Sequence, residues 1–578
     1  MHRFVDPADG KVYLYTHFEA ADSRRMYSVF EQPDLKAHVD FDVIAPSDWR
    51  VASNQVHEDI REEEDGLLHD FALTPRMSTY LTAIAAGPYV RFQDEWHSRD
   101  GSESIPLGIL ARASLAEYVD HEEIFKITKQ GLAFYHRTFG YPYPWGKYDQ
   151  IFVPEYNLGA MENPGLVTFT ENYIHRGPAT RSELAGRTNT ILHEMAHMWF
   201  GDLVTPKWWD DLWLKESFAE YMGAHASVAG TEYREAWTNF AVGRKAWAYT
   251  ADQQSTTHPI VADIVDLEAA RQNFDGITYA KGASVLKQLV AHVGVERFFS
   301  AARHYFRELA FSSATLDDLI RHLEKACGRD LSAWVDAWLK TAGPDVLLPE
   351  LTISDGVVSE LAVVRDSIDV RTGRDVNRPH TLRVGLYSLH GEDLVRTNLI
   401  DLTISSPRTP VPEAAGKPAP DSSSSTTTIS RTPRCVLALL VRRPSLLTCR
   451  VWPTHWLALW SGRCCGTPCA TPSLRFRITL TPLLRMVPKR PNRPSSPPYC
   501  SSYEWPSRTI FLILLARPHG APRQPGPGRD STSPSWVATY SACGRVTPWP
   551  CQLPIRTRLD GFVACLTAMS PAWSSIQK

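Results

Sequence analysis

Residues 193–197 read His193-Glu194-Met195-Ala196-His197 and end a stretch, Arg181 to His197, that we predict to be one helix. A spacing of four residues puts both imidazoles on one helix face, where they can share a metal ion. Glu194 projects beside them as a potential general base. An exposed helix face that carries polar side chains would show the same letters, so the motif indicates a metal site without establishing one.

A third ligand is needed, because a catalytic zinc takes three protein ligands and leaves one position for water. Glu216 follows His197 after 18 intervening residues, in a second predicted helix from Leu214 to Val228. Gly201-Asp202 and Pro206 allow a turn that packs this helix against the first. A His/His/Glu set with Glu194 as base is what metal-assisted peptide hydrolysis requires.

The imidazole N–H groups of such a site need partners of their own. Asp202 and Asp210 are the candidates that the nearby sequence offers. The alternative for both is a solvated loop carboxylate.

The sequence on either side of these helices predicts three modules before residue 421, in the order β, mostly α, β. Alternating apolar residues predict strands in 1–88, and helical patterns follow Pro88. Later helices are predicted to begin after Thr315 and to end at Gly294 and Gly328. Short alternating runs return across an Asp355-Gly356 turn, which indicates a β-sandwich. The predicted fold class is multidomain α+β, with boundaries at 1–88, 89–343 and 344–421.

Charge and composition divide the chain at residue 421. Residues 1–421 have a net charge of −20 and residues 422–578 of +17, and the second part holds nine of the ten cysteines. No apolar run approaches the ~18 residues of a membrane helix, and the start of the chain lacks a secretory signal. Cys327 is the single cysteine before residue 421, which fits a reducing cytoplasm.

Gly159-Ala160-Met161-Glu162-Asn163 precedes the metal motif and resembles the exopeptidase motif of the aminopeptidase N (alanyl aminopeptidase) family of zinc metallopeptidases. The spacing of His193, His197 and Glu216 is similar to the zinc site of that family. The stretches from Phe18 to Arg25 and from Ile277 to Ser284 match as well, in the style of actinobacterial members. The resemblance extends from residue 11 or earlier to about residue 421.

The resemblance implies a saddle-like β domain, a thermolysin-like catalytic domain and one Zn²⁺ per chain. It implies that Glu194 is the base and that the Tyr279 hydroxyl donates to the oxyanion of the tetrahedral intermediate. Glu19 and Glu162 would hold the free α-ammonium group of the substrate. The cleft beside them would be lined by the rest of the exopeptidase motif, namely Gly159, Ala160, Met161 and Asn163.

Two further positions near the predicted site are Lys215 and Leu158. Lys215 stands where the family usually has asparagine, and we expect metal binding to survive that change. Leu158 stands where the family lines the pocket for the first substrate side chain, and an ordinary core leucine is the alternative.

We therefore expect a cytoplasmic, monomeric zinc aminopeptidase that removes single residues from peptides with a free N-terminus. No nucleic acid or membrane partner is expected. Two fixed carboxylates that face a cation in a low-dielectric cleft allow an enzyme to count one residue from the chain end. The alternatives are a truncated, inactive family member and a zinc endopeptidase.

Both ends of the chain depart from the family. Its members normally begin well before the equivalent of Lys11, so we expect an incomplete N-terminal β domain. Residues 422–578 could be a basic nucleic-acid-binding arm with Trp452 and Trp456, or a module built on Cys464-Cys465. We favour a third reading, translation out of frame, because Ser422 to Ile429 can be encoded by codons that would give a leucine and aspartate run when shifted by one nucleotide. This basic tail is predicted to have no defined fold.

Overall fold

The structure is a computed structural model that describes residues 1–390, 393–419, 426–429 and 435–439. The basic tail predicted at 422–578 lies outside the described residues, apart from two short strands at 426–429 and 435–439. The predictions of its reading frame and of its lack of fold therefore stay predictions.

The N-terminal region consists of two small sheets. Its strands are β1 (His2–Val5), β2 (Val12–Tyr15), β3 (Asp42–Ala45), β4 (Arg50–Ser53), β5 (His57–Glu63), β6 (Gly66–Phe71) and β7 (Ile84–Gly87). The sheet orders are β1-β2-β7-β4 and β3-β6-β5. Apolar side chains of both sheets, among them Leu14, Val43 and Phe71, form one buried cluster. Glu19 lies in the segment that follows β2.

A five-stranded sheet follows Pro88, in the order β11-β12-β10-β9-β8. Its strands are β8 (Tyr89–His97), β9 (Ser104–Arg112), β10 (Tyr148–Val153), β11 (Ala160–Met161) and β12 (Leu166–Thr170). The expectation of helices directly beyond Pro88 is wrong for these strands. Tyr148–Val153 is buried at every position, and a strand that is buried on both faces lacks the alternation that separates strand from helix.

Ten α-helices lie in the described part of the chain, and the metal motif ends the second of them. They are α1 (His121–Phe139), α2 (Arg181–His197), α3 (Trp213–Gly230), α4 (Ala236–Asn239), α5 (Lys245–Asp252), α6 (Leu267–Gln272), α7 (Gly282–Val293), α8 (Val295–Leu309), α9 (Leu316–Cys327) and α10 (Ser332–Trp338). The two short strands β13 (Thr205–Pro206) and β14 (Ser313–Ala314) pair with each other. Within the described ranges, no helix combines the length and apolar character that crossing a membrane needs.

The helix ends confirm the local predictions. The bounds of α2 are those predicted, and α9 begins after Thr315, which forms a capping box with Asp318. Gly294 ends α7 and Gly328 ends α9. Capping side chains and left-handed glycines act over a few residues, so the sequence is sufficient to predict them.

Three further sheets follow α10, and their strands contribute to a second core. Their strands are β15 (Val346–Ser354), β16 (Val357–Asp366), β17 (Ile368–Asp369), β18 (Arg374–Asp375), β19 (His380–His390), β20 (Asp393–Ile404), β21 (Arg408–Pro410), β22 (Thr426–Ile429) and β23 (Cys435–Leu439). The predicted turn joins β15 to β16, with φ of 52° at Asp355 and 76° at Gly356. Side chains of β16, β19 and β20, such as Leu361 and Val384, pack in the core.

Candidate metal centre and active site

Two imidazoles project from the last turn of α2. The Nε2 atoms of His193 and His197 are 3.2 Å apart. Nδ1 of His197 lies 3.0 Å from the carbonyl oxygen of Phe200. That contact places the proton on Nδ1, because a carbonyl can only accept, and leaves Nε2 free to bind a metal.

Glu216 on α3 completes a group of three ligand atoms. Its Oε2 lies 3.6 Å from Nε2 of His193 and 3.5 Å from Nε2 of His197. This oxygen is buried and accepts no hydrogen bond from the described residues, which is unfavourable unless a cation faces it. Ligand atoms about 3.3 Å apart are what a tetrahedral zinc with bonds of ~2.0–2.1 Å requires. The three residues therefore fit the zinc that the sequence implies.

The carboxylate behind His193 belongs to Glu220, which the sequence analysis missed. Its Oε2 lies 3.8 Å from Nδ1 of His193, and Arg244 donates to its two oxygens at 2.7 and 2.8 Å. The carboxylates of Asp202 and Asp210, the predicted partners of the imidazoles, form no hydrogen bond or ion pair with either imidazole among the described contacts, although the Asp202 backbone N–H donates to the His197 carbonyl oxygen at 3.0 Å. Glu220 lies one helical turn after Glu216, on the same face of α3, and this i,i+4 spacing could have identified it.

Replacement of Glu220 with glutamine is expected to weaken zinc binding by about 10- to 100-fold, because an outer carboxylate orients the imidazole and raises its basicity. Competition with a chromophoric chelator measures the affinity. Glu232→Gln is the matched control, since Glu232 pairs with Lys126 on an exposed surface. Equal zinc affinity in the Glu220 variant and the control would show that Glu220 does not support the metal ligand.

Glu194 lies beside the three ligand atoms and is buried. One of its oxygens is within 4.8 Å of a ring nitrogen of His197 and of an oxygen of Glu162. Burial raises the pKa of Glu194 well above its usual value, and the nearby charges of Glu162 and Glu216 raise it further. A carboxylate with a raised pKa accepts a proton more readily than an exposed one.

Tyr279 lies beside the candidate ligand His193, in a π-helical segment from Ile277 to Lys281. Its ring stacks on that of His193, with centroids 6.2 Å apart and planes within 7°. The Asp275 carboxylate accepts the backbone N–H groups of Ile277 and Thr278 at 2.9 and 3.0 Å, which holds the start of the segment. Burial raises the pKa of Tyr279 well above its usual value, so its hydroxyl keeps its proton and can donate.

The contact between this segment and α3 requires a glycine. The Ser217 hydroxyl donates to the carbonyl oxygen of Thr278 at 2.6 Å. A Cβ at Gly282 would stand 1.9 Å from the Ser217 Oγ. The absence of a side chain at Gly282 therefore lets the Tyr279 segment approach the helix that carries Glu216.

The two predicted ammonium-binding carboxylates, Glu19 and Glu162, come together on one cation of the chain itself. Nζ of Lys215 lies 2.5 Å from Oε1 of Glu19, 2.6 Å from Oε1 of Glu162 and 2.7 Å from Oε1 of Glu216. Burial alone would raise the pKa of Glu162, but the charges of Lys215 and His197, together with the hydrogen bond from Lys215, hold that pKa below its usual value. Lys215 thus joins the two predicted ammonium-binding carboxylates to Glu216, the third candidate metal ligand.

Ala160 and Met161 of the exopeptidase motif form β11, at the edge of the five-stranded sheet, and Gly159 and Asn163 lie just before and after it. Gly159 and Ala160 are at least partly exposed, whereas Met161 and Asn163 are buried. The Asn163 amide donates to the Thr168 hydroxyl at 3.3 Å, so its side chain braces the strand pair. Leu158 is 45% exposed and is not a core leucine.

The comparisons with known proteins agree with this geometry. Residues 2–81 match the peptidase M1 N-terminal domain, and residues 124–338 match the peptidase family M1 domain. Both matches fall on regions that contribute to the site, since Glu19 lies in the first and the metal ligands lie in the second.

Individual relatives cover the same region. The chain is 48% identical to aminopeptidase N of Streptomyces lividans over 427 residues, which are 73% of this chain and 49% of that protein. It is 34% identical to leucyl aminopeptidase of Saccharolobus solfataricus, over 58% of this chain and 42% of that protein. The chain thus spans half or less of these relatives. Because two M1 domain matches occur in one chain and the second contains all three candidate ligands, the chain belongs to peptidase family M1.

Proposed function

We propose that the chain is a zinc-dependent aminopeptidase that hydrolyses single N-terminal residues from peptides. The observation that carries the proposal is the convergence of His193, His197 and Glu216, with ligand atoms 3.2 to 3.6 Å apart, beside a second carboxylate pair. Membership of family M1 and the aminopeptidase relatives support the reaction class.

One zinc per chain would be held by the two Nε2 atoms and by Glu216 Oε2. Bound zinc would supply Lewis acidity and would lower the pKa of a water molecule that it holds. Glu194 would accept the proton of the attacking water and pass it to the leaving amine. The Tyr279 hydroxyl would donate to the oxygen that gains negative charge in the transition state.

The substrate would enter between β11 and the N-terminal region. Gly159 and Ala160 leave backbone groups accessible at the sheet edge, where an extended peptide can pair. Glu19 and Glu162 would receive its α-ammonium group and so place the first peptide bond at the metal.

We further propose that the protein acts in the cytoplasm as a monomer, without nucleic acid or membrane partners. The free thiol of Cys327, the single cysteine of residues 1–390 and 393–419, supports a reducing compartment.

A peptide ladder tests the proposed function. The zinc-loaded full chain is incubated with a ten-residue peptide that has a free N-terminus, and mass spectrometry identifies the products. Products shortened one residue at a time from the N-terminus are expected, and chelation of zinc should stop their formation until zinc is returned. Internal fragments would indicate an endopeptidase instead. An intact peptide in the presence of stoichiometric zinc would indicate an inactive family member.

A further inference from the structure

The ammonium of Lys215 occupies a complete cation site. Its side chain is fully buried and touches one oxygen of each of Glu19, Glu162 and Glu216 at 2.5 to 2.7 Å. The rings of Tyr80 and Phe274 face the same Nζ at 5.6 and 5.9 Å. Three carboxylates and two aromatic faces are the surroundings that stabilise a desolvated ammonium group.

The backbone at Gly201 leaves room for the Lys215 side chain. A Cβ at Gly201 would lie 3.2 Å from Cβ of Lys215 and 3.5 Å from its Cδ. The lysine stem therefore runs along the turn that joins α2 to α3. Its position in the first turn of α3 sends Nζ toward the carboxylates of the N-terminal region and of the exopeptidase motif.

The same two carboxylates are those that the proposed function assigns to the substrate. An α-ammonium and a lysine ammonium have the same charge and the same hydrogen-bonding capacity. Both cannot occupy one position between Glu19 and Glu162. If Lys215 stays, its positive charge offsets the negative charge that would attract the substrate.

We propose that Lys215 is a specificity-determining residue that competes with the substrate's α-ammonium for Glu19 and Glu162. This inference rests on the proposed function. A free N-terminus must displace the Lys215 Nζ before it binds. This chain therefore prefers free over blocked N-termini less strongly than a site with two unoccupied carboxylates would.

Binding of a non-hydrolysable amine tests the competition directly. Alaninol carries the ammonium group without a scissile bond, and N-acetylalaninol is its blocked counterpart. Calorimetry with the zinc-loaded full chain is expected to show roughly tenfold or more tighter binding of alaninol to Lys215→Asn than to the wild type, because charge-assisted hydrogen bonds become available. Binding of N-acetylalaninol should stay unchanged. Unchanged alaninol affinity in a folded variant would overturn the proposal.

Two further variants separate charge from shape. Lys215→Met keeps the length of the stem and removes the ammonium, so it should also gain alaninol affinity. Lys126→Asn, at an exposed ion pair with Glu123 and Glu232, should change nothing. In the wild type itself, alaninol should bind within about tenfold of N-acetylalaninol. A wild-type preference above about a hundredfold would refute the competition even if neither Lys215 variant folded.

Kinetics distinguish this inference from the proposed function. With alanyl-p-nitroanilide, Lys215→Asn should lower KM by roughly tenfold or more and change kcat little, because the gain is in binding. Cleavage with the same KM in the variant and the wild type would overturn the inference and leave the aminopeptidase standing. A gain in alaninol affinity without cleavage by either protein would support the competition and contradict the proposed function.

Discussion

Replacement of His197 with alanine is expected to abolish stoichiometric zinc binding. His197 supplies one of three ligand atoms, and its own orientation is held by the Phe200 carbonyl at 3.0 Å. Loss of one ligand from a structured site should weaken binding on the order of a thousandfold, since the free energy of metal binding is divided among few bonds. Peptidase activity should disappear with the metal.

Elemental analysis after dialysis measures the zinc content of this variant. His304→Ala is the matched control, because His304 lies exposed on α8 and bonds only to the Ser300 carbonyl among the described residues. The control should keep one zinc per chain. Retention of one equally tight zinc in His197→Ala would contradict the ligand assignment.

Replacement of Glu194 with glutamine is expected to reduce kcat by about 10²- to 10⁴-fold while zinc stays bound. Glutamine keeps the shape of the side chain but cannot accept a proton. Glu194 lies beside the candidate ligands, but it supplies none of the three converging atoms, which are His193 Nε2, His197 Nε2 and Glu216 Oε2. Its loss should therefore separate turnover from metal content.

The two measurements on this variant are initial rates with alanyl-p-nitroanilide and the zinc content of the same sample. Glu183→Gln is the control on the same helix, because Glu183 only caps its exposed beginning. A Glu194 variant with a wild-type rate would exclude Glu194 as the base. Loss of zinc together with activity would show that Glu194 acts on the metal site rather than on the proton.

The local features of the fold were predictable from the sequence. The bounds of α2, the Thr315 cap and the Asp355-Gly356 turn depend on residues that are close along the chain. The strands after Pro88 were not predictable in the same way. Their apolar runs are compatible with a buried helix or a buried strand. Only the pairing among the five strands from β8 through β12 decides between the two.

In the candidate site, too, some features were predictable from the local sequence and others were not. His193 and His197 lie on one helix, so their separation follows from helical geometry. The need for a third ligand brought Glu216 into the predicted site, and the motif resemblance brought Tyr279, Glu19 and Glu162. The structure places all four close to His193, His197 or Lys215. Glu220 was missed although its i,i+4 spacing from Glu216 points to it. Arg244 was missed because the contact between α3 and the segment Phe240–Arg244 depends on how those elements pack.

By itself, the sequence determined the family and was sufficient to predict the candidate ligand set and the candidate general base, because each rests on short motifs with a defined spacing. Only the tertiary structure decided what Lys215 does. In the sequence it is one changed letter beside a ligand. Folding places its ammonium, buried from water, between carboxylates from the N-terminal region, the sheet edge and α3. In such a site a single charge changes which cations can bind, and no local pattern contains that information.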